Sequence, residues 1–201
     1  MCMCEKHLLQ RVVDIARVLY TSNFDHGLPH IERVYKWMLK IISAENLNVD
    51  LELAKLAAYL HDIGRLVGEP HAYYSAIIAE ELLKEVGCSS KVSEEIVTAI
   101  LSHSFSYAKA SPSKSKLAML LSDADKLDAL GIVGFLRVFI FGERNSRSFE
   151  ESVKHFYDKI LKLKDLVHYE YSKAEAEKLT ERTRMLLEYL FEETSWPQAS
   201  T

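Results

Sequence analysis

The amino-acid sequence predicts an all-α fold: a single helical domain over residues 1–201 with two extra helices at its C-terminal end. Three observations carry this. Apolar residues recur at three- and four-residue spacing along most of the chain, the period of an amphipathic helix. Glycines number 7 and prolines 4, too few for the tight turns of a many-stranded sandwich or barrel. Hydrophobic residues make up 48% of the 201, enough to bury a core without a disulfide or a metal to hold it.

The elements follow in order. Leu8, Leu9, Val12, Ile15, Ala16 and Leu19 place a first helix over about residues 5–21. Pro29 suits the first turn of a second, about 29–44, with Ile31, Val34, Met38 and Ile41 on one stripe. Asp50 can cap a third that carries Leu53, Leu56, Ala57 and Leu60, and Gly64 is a natural stop. A fourth spans about 71–86, a fifth about 93–103 and a sixth about 116–130. Gly131 to Phe141 is β-rich in composition, which weakens its helical reading. Two long amphipathic helices are expected over about 148–167 and 172–193. The core is expected over about 25–131, with the last two helices as an extension from about 148 to 193. Ser104–Ser115 and Gly142–Ser148 are polar loops.

Composition narrows the function. A net charge of −4 argues against an extended nucleic-acid surface. No GxGxxG or GxxxxGK[ST] occurs, so no glycine loop cradles phosphate. No apolar run is long enough for a transmembrane helix, and the N-terminus lacks the pattern of a secretory signal. Cys2, Cys4 and Cys88 read as reduced thiols, and a cytoplasmic protein is expected. The 8 histidines stand out against this background.

His61 and Asp62 are adjacent at the end of an apolar helix. Neighbouring helical residues point about 100° apart, so the two meet at one ion only where the chain turns away, as Ile63-Gly64 allows. One imidazole and one carboxylate suit a borderline or hard divalent ion, but two ligands need company. His30 shares a face with Val34, Trp37 and Ile41, which turns it inward. Asp123, Asp125 and Asp128 lie in a helix that is apolar almost all round, and buried carboxylates need a cation beside them. Periodicity leaves the choice open. It sets Asp128 nearest the centre of the apolar stripe, Asp125 on its flank and Asp123 on another side.

Four local patterns now stand in order: DHGLPHIERV (25–34), LHDIGR (60–65), DADKLDALG (123–131) and the stretch from His155-Phe156-Tyr157-Asp158-Lys159 onward. Together they resemble the H…HD…D signature of the HD superfamily of metal-dependent phosphohydrolases, in its small bacterial and archaeal subgroup. The resemblance covers nearly the whole chain. It implies an HD-type helical bundle whose metal ligands are His30, His61, Asp62 and Asp125, the last chosen because it precedes the basic Lys126. It implies a divalent ion (Mn, Fe, Ni, Zn, Co or Mg), one or two in number. It also implies hydrolysis of a nucleotide or other phosphate ester by attack of a metal-bound hydroxide on phosphorus.

The remaining roles follow from position. His71 and His103 lie between the HD pair and Asp125, as ligands of a second metal or as contacts to substrate or water. Lys126 and Arg33 are candidates to stabilise developing charge beside His61 and Asp62. Asp123, Asp128 and His26 are expected to support the ligands. His7, His155 and His168 read as ordinary, partly exposed residues. Lys109, Lys114, Lys116, Arg144 and Arg147 lie in or beside the two loops, solvated or closing over an anion. A homodimer is possible. Two other functions stay open: a nucleotide-sensing module without turnover, and a di-iron oxygenase.

Overall fold

The computed structural model describes residues 6–104 and 114–194, so Cys2, Cys4 and Lys109 lie outside the described residues. These residues form nine α-helices: α1 (Lys6–Leu19), α2 (Leu28–Ala44), α3 (Leu51–Leu60), α4 (His71–Glu85), α5 (Ser90–His103), α6 (Lys116–Asp128), α7 (Gly131–Arg144), α8 (Phe149–Asp158) and α9 (Glu170–Thr194). Two 3-10 turns, Ile63–Leu66 and Ile160–Leu166, complete the described residues, which hold no strand.

Helix α6 is the hub. It packs against α2, α3 and α5, and α9 crosses behind it. Its apolar surround explains the place: Leu117, Ala118, Leu120, Leu121, Ala124 and Leu127 are all buried. One cluster of buried side chains runs from Leu9 in α1 through Ile31, Met38, Leu60 and Ile100 to Phe191 in α9. The C-terminal elements are stitched to this cluster by Asp123, whose carboxylate accepts the backbone N–H groups of His168 and Tyr169 and the His168 ring at 2.7–3.0 Å.

Local chemistry sets the ends that matter for the site. Asp50 caps α3 by accepting from the Glu52 N–H at 2.8 Å. The helix stops at His61, and the backbone leaves it at Asp62 (φ −110°, ψ 5°) to enter the first 3-10 turn. Gly64 lets the first turn of α4 lie directly on this corner. A Cβ there would sit 2.3 Å from the His71 carbonyl oxygen and from the Ser75 nitrogen. The Gly64 N–H instead donates to Ser75 Oγ at 2.8 Å, tying the corner to α4.

Gly131–Arg144 is a full helix, as its weaker helical reading has it, with Phe135 and Phe139 packed on Phe156 and Phe149. Two expectations change. The long helix expected over 148–167 breaks. A capping box between Ser148 and Glu151 starts α8, but Lys159 leaves helical geometry (φ −134°, ψ −58°) and the chain continues as a 3-10 turn. Cys88 is disulfide-bonded, not a reduced thiol. The turn at Gly87 (φ +69°) follows α4, and Cys88 packs partly buried against the core. Cysteine usage therefore no longer argues for a reducing compartment.

Candidate metal centre and cavity

Four helix ends converge. His30 enters from the first turn of α2, His61 and Asp62 from the end of α3, His103 from the end of α5, and Asp125 from the last turn of α6. His30, His61 and His103 are buried, as is Asp62. Asp125 is 27% exposed, open toward a cavity.

The histidines are held in one tautomer by what grips Nδ1. His30 Nδ1 donates to Asp128 Oδ2 at 2.7 Å, His61 Nδ1 to the Ala58 carbonyl at 2.7 Å, and His103 Nδ1 to the Ile100 carbonyl at 2.5 Å. Each ring then presents the Nε2 lone pair inward. His30 Nε2, His61 Nε2 and Asp62 Oδ1 are buried with no hydrogen-bond partner among the described residues. Buried acceptors of this kind are costly unless a cation joins them. The ligand atoms of His30, His61 and Asp125 lie within 4.8 Å of one another, and so do those of His61, Asp62 and His103. Both groups have the geometry to hold a metal ion.

Asp62 stands between the two groups. Its Oδ2 faces His30 Nε2 at 3.7 Å and His61 Nε2 at 4.0 Å. Its Oδ1 faces His71 Nε2 at 3.4 Å and His103 Nε2 at 3.9 Å. Burial alone would raise its pKa, but the Arg65 guanidinium, donating to Oδ2 at 2.6 Å, and the histidines around it hold it well below the usual range. His30, His61 and His103 do the same for Asp125 against its own burial. Burial, with His61 beside it, pushes His103 down to about 3. Burial and Arg137 lower His30, and the Asp128 bond opposes them.

Two of these residues, His103 and Asp125, line a cavity of about 450 Å³, a volume suited to a small organic ligand. His26, Arg65, Glu69, His71, Lys126 and Arg137 line it as well. A second opening reaches Asp62 past Tyr20 and His26. There Arg144 closes on Asp25 at 2.8 Å.

The expected residues fall into distinct places. Asp125, the choice implied by the family resemblance, lies beside His30, 3.5 Å from its Nε2. Asp128, which periodicity ranks at least as high, grips the far side of the same ring. It is itself held by Arg33 and Arg137 and pulled down to about 2, burial opposing and the His30 bond leading. Asp123 points the other way, to the C-terminal elements. Lys126 reaches the cavity with its ammonium folded back on Ser122. Arg33 does not reach it: the guanidinium spans Asp128 and the Phe24 carbonyl, over the Phe24 ring, and lines a separate groove on the reverse side. His26 pairs with Asp25 at 3.2 Å, with its ring against that of His30. Lys114 and Lys116 stand away from the cavity, and Arg147 lines it.

Sequence reasoning missed Arg65, Arg137, His155 and Lys159. Arg65 carried a signal: it lies three residues after Asp62, one turn on. His155 and Lys159 lie in the fourth pattern of the family resemblance, though without a role assigned there, and Arg137 is brought in by tertiary packing.

Known proteins share this arrangement of helices. The HD domain family model matches residues 27–130. YpgQ of Bacillus subtilis (strain 168), itself uncharacterized, is 25% identical over 183 residues, covering 88% of this chain and 86% of YpgQ. The crystal structure of YpgQ in complex with ADP matches with a TM-score of 0.75 at 24% identity, covering 95% of this chain and 97% of that one. A Lactobacillus plantarum structure matches with a TM-score of 0.80 at 22% identity, covering 96% and 99%. An HD-superfamily hydrolase from Bacillus thuringiensis matches with a TM-score of 0.70 at 25% identity, covering 96% and 100%. Every residue of the two groups that could hold a metal falls inside the stretch matched by the family model, which is over half the sequence, and the chain belongs to the HD domain family.

Proposed function

We propose that this protein is a metal-dependent phosphohydrolase acting on a nucleotide or another phosphate ester, with His30, His61, Asp62 and Asp125 holding a divalent ion. The observation that supports it most is the set of buried, unpartnered acceptor atoms: Nε2 of His30 and of His61, which group with Asp125, and Asp62 Oδ1. Two imidazoles and two carboxylates fit Mn, Fe, Ni, Zn, Co or Mg and leave the ion formally near neutral. Such an ion, when bound, acidifies water and polarises a phosphoryl oxygen.

The chain's own residues do the rest. Asp128 fixes the His30 tautomer, and Arg65 keeps Asp62 ionised and in place. Arg137 and Lys126 line the cavity, where positive charge meets phosphate oxygens. Arg137 Nε is buried and has no hydrogen-bond partner among the described residues. His103 donates from Nδ1 to the Ile100 carbonyl, so its Nε2 accepts, and this favours a second ion or a water over a phosphate oxygen as its partner. The ADP bound by YpgQ supports a nucleotide as ligand.

The test is a panel of nucleotides and phosphate esters offered to protein loaded with each candidate ion in turn. Hydrolysis that falls at least a hundredfold in His61→Ala and Asp125→Ala is expected. A folded, metal-loaded protein that turns over nothing on the panel refutes the proposal. Tight nucleotide binding without turnover marks a sensor instead, and oxygen uptake marks oxidative chemistry.

A further inference from the structure

The cavity has a second wall that the metal-holding groups do not explain. It comes from the break between α8 and the 3-10 turn after it, and from the loop before α8. Arg147, His155 and Lys159 line it, with Ile160 and Leu163 between them and the core. All of these lie outside residues 27–130. The Lys159 N–H closes on the His155 carbonyl at 3.0 Å, so the two side chains leave the same face of the end of α8. Arg147 stands over the Phe141 ring at 5.4 Å from its centre. The three basic groups are half-buried.

No carboxylate lines this wall. Of the residues that line the cavity, Glu69 and Asp125 are the acids, and both belong to the metal side. Asp158, next to Lys159 in sequence, pairs with Lys154. Burial, with Arg147 and Lys159 close by, pushes His155 down to about 4. Burial, with Arg65 and Arg137 adding to it against the pull of Asp125, lowers Lys159. A ligand anion at this wall meets basic side chains on an apolar floor of Ile160 and Leu163.

We propose that Arg147, His155 and Lys159 form a second anion subsite, so that this cavity selects a phosphate ester carrying a second anionic group. The inference rests on the proposed function in taking the cavity as the substrate site. Arg147 offers a planar fork to an oxyanion and Lys159 a point charge. A phosphate and a carboxylate share this chemistry.

The experiment is calorimetric titration of the metal-loaded protein, with the ion in excess, using ligands that resist hydrolysis. Methylphosphonate carries one anionic group, methylenediphosphonate a second phosphonate, and phosphonoacetate a carboxylate. At least one two-anion ligand should bind the wild type tenfold or more tighter than methylphosphonate, and which one does so identifies the second group. Lys159→Met and Arg147→Met should each lower that affinity about tenfold and leave methylphosphonate within twofold. Lys159→Arg should keep most of the preference. The inference is overturned if the wild type shows no preference, or if the substitutions weaken all ligands alike or none. Should Lys159→Met fail to fold, Arg147→Met decides the outcome by the same ratio. A wild type that hydrolyses esters without the preference loses the subsite and keeps the proposed function. A wild type with the preference that hydrolyses nothing keeps the subsite and loses the phosphohydrolase.

Discussion

Asp128→Asn separates the role of Asp128 from that of a ligand. Four hydrogen bonds end on this carboxylate: His30 Nδ1 and Arg33 Nε at 2.7 Å, Arg137 Nη1 at 2.9 Å and Arg33 Nη2 at 3.0 Å. Asparagine keeps the size, removes the charge and turns one acceptor into a donor that faces guanidinium groups. Breaking one side of a buried charged network costs about 3–5 kcal/mol. Arg33 is 20% exposed and can recover some hydration, so a loss of about 2–4 kcal/mol is the better expectation. At roughly 2–4 °C per kcal/mol for a chain of this size, Tm falls by roughly 5–15 °C. His30 also loses the carboxylate that fixes its tautomer, and metal affinity should weaken by about 10–100-fold. Thermal unfolding with chelator present reads the first effect, and calorimetric metal titration at low temperature reads the second. An Asp128→Asn protein that is less stable yet binds metal as the wild type does would show that Asp128 serves the two arginines and not His30.

The other predictions are narrower. Arg33→Met leaves the His30–Asp128 bond in place and should keep metal affinity within about threefold while lowering stability by about 1–2 kcal/mol; a hundredfold loss of hydrolysis in a folded, metal-replete Arg33→Met protein would place this residue at the substrate after all. Gly64→Ala forces backbone apart at the corner where α4 meets the HD turn, and a loss of more than about 3 kcal/mol together with lowered metal occupancy is expected; wild-type melting behaviour would contradict the close approach. His155 is held at about 4 in the folded chain by burial and by Arg147 and Lys159, against about 6.5 when unfolded. The unfolded chain therefore takes up a proton at this residue first as pH falls. The stability linked to it is whole above about pH 6.5 and lost toward pH 4. Unfolding of metal-free wild type and His155→Gln at several pH values should show a shallower acid slope in the variant, and identical slopes would count against the burial of this ring.

What the sequence makes legible is local. His30, the HD pair and the last aspartate motif each sit within a few residues of one helix end, so spacing and apolar periodicity expose them. Periodicity alone cannot separate Asp125 from Asp128, because both face the same neighbour: one lies beside the His30 Nε2 and the other holds its Nδ1. Only the packing of α6 against α2 distinguishes the two sides of that ring. The far wall of the cavity is illegible for a different reason. The apolar repeat of residues 148–167 runs on across Lys159, and no glycine or proline marks the break. The break turns Lys159, Ile160 and Leu163 toward the cavity, and it is imposed by how α8 and the following turn seat on the core. Gly131–Phe141 is a milder case: its aromatic residues weaken the helical reading locally, and the helix is secured once Phe149 and Phe156 are in place.

The central claim is that His30, His61, Asp62 and Asp125 hold one divalent ion, the two histidines through Nε2 atoms left without a hydrogen-bond partner among the described residues. Anomalous diffraction from crystals of the metal-loaded protein, collected at the absorption edge of the ion, tests it directly. The account predicts a peak at about 2.0–2.3 Å from His30 Nε2, His61 Nε2 and one carboxylate oxygen each of Asp62 and Asp125. Crystals of fully loaded protein with no peak among these four atoms, or with the ion bound elsewhere, would contradict it.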